Sequence, residues 1–295
     1  MATLIFPNLF FGDDADSCSE FGEDPEHFEL KCIVPSGNIT TKQYEFRDPE
    51  LLHEDTSKIY RGELTCEGEE PRDVVCKLVY GKRRMKRVRR EACFYANELQ
   101  KLQGRMIPRF HGLFRGEMQD GDTVCLVLDY IGKPLTRCLF TMNFQFRFSV
   151  IQALVTIHSL GVKHGDFSEN SIVVDENYRP YIIDFEWAEQ HVCQKSMPIV
   201  FNAEEPEWKE FNCDELHDAC TEAQAWLPRT VDYLRQKVPV KFAYSAKELV
   251  KHAPKSYSYE AAYRAALRVV HDLQEWYDER AFFDGCSSGD PLPHP

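Results

Sequence analysis

Between Val162 and Cys193 the chain carries two aspartates at the edges of two short apolar runs, and this stretch restricts its folding more than any other. Asp166 follows His164 and Gly165 and precedes Ile172, Val173 and Val174. Asn177 to Pro180 have turn composition, and Tyr181, Ile182 and Ile183 lead into Asp184. The pattern predicts strand, turn and strand, with an acid before and an acid after. The plainer reading is a buried hairpin whose aspartates are turn residues, because Asp hydrogen-bonds its own backbone in turns. The other reading is a phosphoryl-transfer site in which both carboxylates face one ligand, and its support lies upstream.

Val74 to Tyr80, V-V-C-K-L-V-Y, reads as a buried strand with Lys77 in its middle. An ammonium is costly to bury without a partner, so Lys77 either lies on the open face of an edge strand or meets an acid. Lys86 to about Gln103 then shows Val88, Phe94, Tyr95, Leu99 and Leu102 at helical spacing, with Gly104 as a stop. Glu91 and Glu98 both lie on that helix. Strands are predicted over Phe110 to Phe114 and Thr123 to Tyr130, and a long helix over Phe146 to Leu160 delivers the chain to Asp166. Ser245 to Glu248 fits a capping box. Tyr259 to Phe282 reads as the last helix, with Leu267, Val270, Leu273, Trp276 and Tyr277 facing inward.

At His164-Gly165-Asp166-Phe167-Ser168-Glu169-Asn170-Ser171 and at Asp184-Phe185-Glu186 the chain resembles the protein kinase-like superfamily. That family's catalytic loop is H-R-D-L-x-x-x-N and its metal-binding motif is D-F-G. Gly165 in place of Arg, and the I-D-F-E-x-A-x-x-H-x-C run from Ile183 to Cys193, are similar to a fungal kinase-like group related to aminoglycoside phosphotransferase-type kinases. The resemblance spans about Leu51 to Phe283 and implies an α+β, bilobal protein kinase-like fold. In that fold residues 51–130 are a small antiparallel β lobe with one helix, and residues 131–283 are a compact, mostly helical large lobe. Residues 1–50 are an N-terminal arm with extra strands, and 284–295 a C-terminal tail.

The resemblance also implies ATP and Mg²⁺ as cofactors and a protein or small-molecule hydroxyl as phosphoacceptor. Asp166 is then the base, Lys77 holds the α- and β-phosphates and pairs with Glu91 (Glu98 being the alternative), and Asp184 binds metal together with Asn170 or Ser171. Leu128 and the backbone of Asp129 and Ile131 face adenine. Two departures stand out. Ser171 occupies the place of the second metal-binding Asn, with Asn170 one residue early, and His53 to Lys58 contains no glycine where the family has a Gly-rich loop, leaving Ser57 to meet phosphate. An inactive nucleotide-binding or scaffolding module is therefore the competing expectation.

Composition narrows the partners. A net charge of −13 argues against nonspecific nucleic-acid binding, which requires Lys and Arg to neutralise phosphates. Lys82 to Arg90 is a basic exception, readable as a solvated helix start or as a docking stretch for a nuclear import receptor. No apolar run approaches the roughly 18 residues of a membrane span, and the apolar N-terminus lacks the basic flank of a signal peptide. The 11 cysteines are scattered singly, without a C-x-x-C pair. The expected setting is reducing and cytoplasmic, with the nucleus as alternative. Residues up to Asp24 read as a mobile arm, and Phe28 to Val34 with Gln43 to Arg47 as an extra hairpin around Pro35 to Asn38. His191 and Cys193 fall short of the usual four metal ligands and read as structural.

Overall fold

Alternation of apolar and polar side chains builds most of the first 130 residues into strands. The structure, a computed structural model, describes residues 1–9, 27–37 and 41–285. Seven strands, β1 (Thr3–Pro7), β2 (His27–Pro35), β3 (Gln43–Glu54), β4 (Lys58–Cys66), β5 (Arg72–Tyr80), β6 (Phe110–Met118) and β7 (Gly121–Asp129), pair in the order β1-β2-β6-β7-β5-β4-β3. β1 also pairs with β3, in parallel, so the sheet closes into a barrel. Leu4, Phe6, Leu30, Phe46, Val74, Cys76, Phe114 and Val127 fill its interior. Closure brings backbones close: a Cβ on Gly116 would lie 2.7 Å from the Glu29 carbonyl oxygen of β2.

This overturns the bilobal, protein kinase-like fold with its small antiparallel β lobe. Residues that read as an arm and an extra hairpin supply β1 and β2, which complete a closed, mixed barrel and leave it without a free edge. Helix α1 (Lys82–Ala96) packs outside the barrel against β5, β6 and β7.

The chain divides into two compact units. The first comprises residues 1–134, 156–166 and 171–192. Besides the barrel and α1 it holds β8 (Lys133–Pro134), β9 (Val162–Lys163), β10 (Ile172–Val174), β11 (Pro180–Ile182) and β12 (Glu189–Gln190). The hairpin expected between Ile172 and Ile182 forms, and β8 joins it as a third strand, while β9 pairs with β12.

The second unit comprises residues 135–155, 167–170 and 193–295, so the boundary falls inside α2 (Phe144–Ser159). It holds α3 (Trp208–Phe211), α4 (Asp214–Glu222), the hairpin of β13 (Thr230–Tyr233) and β14 (Gln236–Pro239), α5 (Ala246–Leu249) and α6 (Tyr259–Asp284). The expected mostly helical lobe is corrected here too, because a β-hairpin lies in this unit's core: Tyr233 and Val238 pack with Leu249, Ala266, Leu273 and Tyr277. Leu267 is exposed rather than inward, and the Ser245 side chain makes no capping bond. Two buried arginines share one acid, since Arg147 pairs with Asp284 and the Arg280 Nε lies 3.8 Å from its second oxygen.

The acidic residues 13–24, Asn38 and the tail from 286 lie outside the described residues. Among the described residues no helix is long and apolar enough to cross a membrane.

Candidate functional site

Strand period sets the site's location. In β5, Val74, Cys76 and Leu78 point into the barrel, so Lys77 points outward, toward the face that α1 covers. The buried stripe of α1 consists of Val88, Glu91, Ala92, Phe94 and Tyr95 at helical spacing, and an acid therefore sits among apolar neighbours. Glu91 Oε2 accepts from Lys77 Nζ at 3.3 Å, and Glu91 Oε1 accepts from the Phe185 N–H at 3.2 Å. Glu98, the alternative partner, accepts instead from Gln190 at 3.3 Å.

Lys77 has two further acids. Its ammonium donates to Asp184 Oδ1 at 2.9 Å and lies 3.2 Å from Glu186 Oε2. The lysine side chain is 13% exposed and Asp184 49%, so the group is buried on the helix side and open on the other. Burial alone would lower the lysine pKa, but Glu91, Asp184 and Glu186 outweigh it and the value rises. Burial pushes the Glu91 carboxyl up to about 7, with Asp184 and Glu186 adding to the rise and Lys77 opposing it. Three acids thus share one cation, and burial raises the most enclosed of them, Glu91.

Asp184 is placed by strained backbone. Its φ of 65° and ψ of 66° lie in the left-handed region, which non-glycine residues seldom occupy. After it, Phe185 is fully buried, 5.4 Å from the Tyr95 ring and 5.0 Å from the His164 ring, with Tyr95 stacked on Phe110 at 5.9 Å. His164 Nε2 donates to the Ile183 carbonyl at 2.9 Å, fastening the segment before Asp166 to the segment before Asp184. Gly165 has φ +83°, and a Cβ there would sit 2.4 Å from the Trp187 carbonyl oxygen. The glycine in H-G-D is thus a steric requirement of this contact.

Asp166 is exposed, and its carbonyl accepts from the Ser171 hydroxyl at 3.0 Å. Ser171 is 5% exposed, so its hydroxyl serves the loop's own backbone. Asn170 is an exposed residue of the second unit. Leu128 is buried in β7, the Asp129 N–H is spent on the Arg109 carbonyl at 2.9 Å, and Ile131 is half-buried. Ser57 lies in the short loop from β3 to β4, where the Asp55 N–H donates to its carbonyl at 3.2 Å.

Sequence reasoning missed Glu186. Its position matches the glycine of D-F-G, so the acid looked incidental, yet it also lies 3.7 Å from Arg87, which stacks on Trp187 at 4.0 Å. The Arg90 side chain donates to the Glu186 carbonyl at 3.2 Å. His191 meets the His158 ring at 5.1 Å within the first unit, and Cys193 lies beside Cys213 within the second.

The donor set suits a hard divalent cation and an anionic ligand: carboxylate oxygens at Asp184 and Glu186 beside a buried ammonium. No protein-family model matches the chain, and no curated protein matches it.

Proposed function

We propose that this chain is an ATP-dependent phosphotransferase acting on a protein or small-molecule hydroxyl. The supporting observation is that Glu91 and Asp184, 14 and 107 residues along the chain from Lys77, both accept from its ammonium. A structural ion pair needs one acid. Here Glu91, Asp184 and Glu186 all lie within 3.3 Å of the Lys77 ammonium, and Asp184 keeps an exposed side that a cation can reach. The reading rests on this site and not on the fold, since one chemistry recurs on unrelated folds.

In this reading Asp184 would hold Mg²⁺, which would compensate the charge of the triphosphate. Lys77 engages the α- and β-phosphates and Glu91 fixes its position. The Asp129 carbonyl and the Ile131 N–H would bond the adenine, and Leu128 would line its pocket. Asp166 orients the acceptor hydroxyl and takes its proton. Asn170 and Ser171 are the two residues weighed for a second metal, and the Ser171 hydroxyl already donates to the Asp166 carbonyl at 3.0 Å. The exposed Lys82, Arg83, Lys86 and Arg89 of α1 are the surface an import receptor would use.

Transfer of label from γ-labelled ATP tests the reading. Asp166→Asn is expected to abolish transfer while leaving Mg·ATP binding intact; surviving turnover would show that Asp166 is not the base. Two observations favour an inactive nucleotide-binding module as the second reading: Glu186 competes for Lys77, and the loop at Asp55 to Ser57 lacks glycine, so its amides approach phosphate less closely. In that case ATP binds and the label stays in it.

A further inference from the structure

A cavity of about 260 Å³ opens on the outside of the barrel in the first unit, lined among others by Ser36, Gly37, Arg72, Gln100, Arg109 and His111. His111 is 7% exposed and fixed at both ring nitrogens. Arg72 Nη1 lies 3.3 Å from Nδ1, and a guanidinium only donates, so Nδ1 accepts and Nε2 carries the hydrogen that goes to Asp129 Oδ1 at 2.6 Å. Arg109 is placed by a 3.9 Å contact from Nε to Asp129 Oδ2, and its two Nη groups have no acceptor among the described residues.

The local charges do not balance. Lys42, Arg72 and Arg109 are set against Glu69 and Asp129, which leaves one positive charge over (3 − 2) in a chain of net charge −13. The end of α1 does not oppose an anion with bare carbonyls: Asn97 donates to Cys93 at 2.7 Å, Gln103 to Tyr95 at 2.7 Å and the Leu99 N–H to Phe94 at 2.9 Å.

We propose that Arg72 and Arg109 form a binding pocket for a phosphate group, either free or carried as a monoester on a peptide, with His111 and Glu69, which accepts from Arg72 Nη2 at 2.7 Å, holding the Arg72 guanidinium in place and leaving its remaining N–H groups to the ligand. Guanidinium forks match the tetrahedral oxygens of phosphate, and the cavity has room for the ester substituent. This pocket is independent of the phosphotransferase reading.

Calorimetric titration of the full chain with inorganic phosphate and with an acetylated phosphoserine amide, at matched ionic strength, tests it. Binding of either probe is expected, and the tighter one identifies the source of the phosphate. Arg109→Ala, on an exposed side chain, and Arg72→Gln are each expected to weaken binding about tenfold or more, the effect of one charge-assisted hydrogen bond. Arg61→Ala, which removes a charge elsewhere on the barrel, should leave binding unchanged. The ¹⁵N signals of His111 should move on titration in the wild-type chain. Absence of binding, equal weakening by Arg61→Ala, or wild-type affinity in both pocket variants overturns the proposal.

Discussion

Replacing Glu91 by Gln should change how stability depends on pH, and the structure sets both sign and size. The carboxyl is 1% exposed, and burial raises its pKa from 4.5 to about 7. Between these values the folded chain holds a proton that the unfolded chain has lost. Stability present below pH 4.5 is therefore lost as pH rises toward 7. At about 1.4 kcal/mol per pH unit the loss is about 3 kcal/mol. Lys77 stays charged throughout, because its pKa is raised. The variant keeps an acceptor for the Phe185 N–H, which the wild type bonds at 3.2 Å, but has nothing to titrate. Urea unfolding of both proteins at pH 4.5 and pH 7.5 gives the answer as a difference of differences, in which other titrating groups cancel. The wild type should lose about 3 kcal/mol more than the variant across this range. Parallel pH profiles would refute the reasoning, because they would mean that Glu91 ionises normally beside Lys77.

Gly165→Ala should cost about 2 kcal/mol or more, since φ is +83° and the new Cβ would meet the Trp187 carbonyl at 2.4 Å; a urea midpoint close to wild type would contradict this. Tyr95→Phe should leave stability unchanged or raise it by up to about 1 kcal/mol, because the hydroxyl is buried without a hydrogen-bond partner among the described residues. A loss above about 1 kcal/mol would show that the hydroxyl has a role in holding Phe185 and Phe110 in place.

The site was more legible in the sequence than the fold around it. Lys77 could be read because V-V-C-K-L-V puts a charge into an otherwise apolar strand, while its pairing with Glu91 rather than Glu98 came from the family resemblance. The positions of Asp166 and Asp184 followed from the runs that flank them. The barrel could not be read: β1 is five residues long with only Leu4 and Phe6 turned inward, and its two partners are β2 and β3, far along the chain. A pattern that short does not say which strands it joins, and pairing decides whether a sheet stays open or closes. Arg147 was equally hidden. Nothing in F-R-F-S-V marks its arginine as fully buried, since its partners are the Ala223 and Gln224 carbonyls and Asp284. Ser245 had the right spacing for a capping box but makes no such bond, so composition at a helix start predicted the helix and not its cap.

Calorimetric titration of Mg·ATP into the wild-type chain and into Lys77→Met and Asp184→Asn tests the central claim most directly. The account predicts saturable, metal-dependent binding to the wild type, lost on chelation and weakened by at least about tenfold in both variants, as expected when a charged partner is removed. Equal affinity in all three proteins, or no metal-dependent binding at millimolar nucleotide, would contradict it.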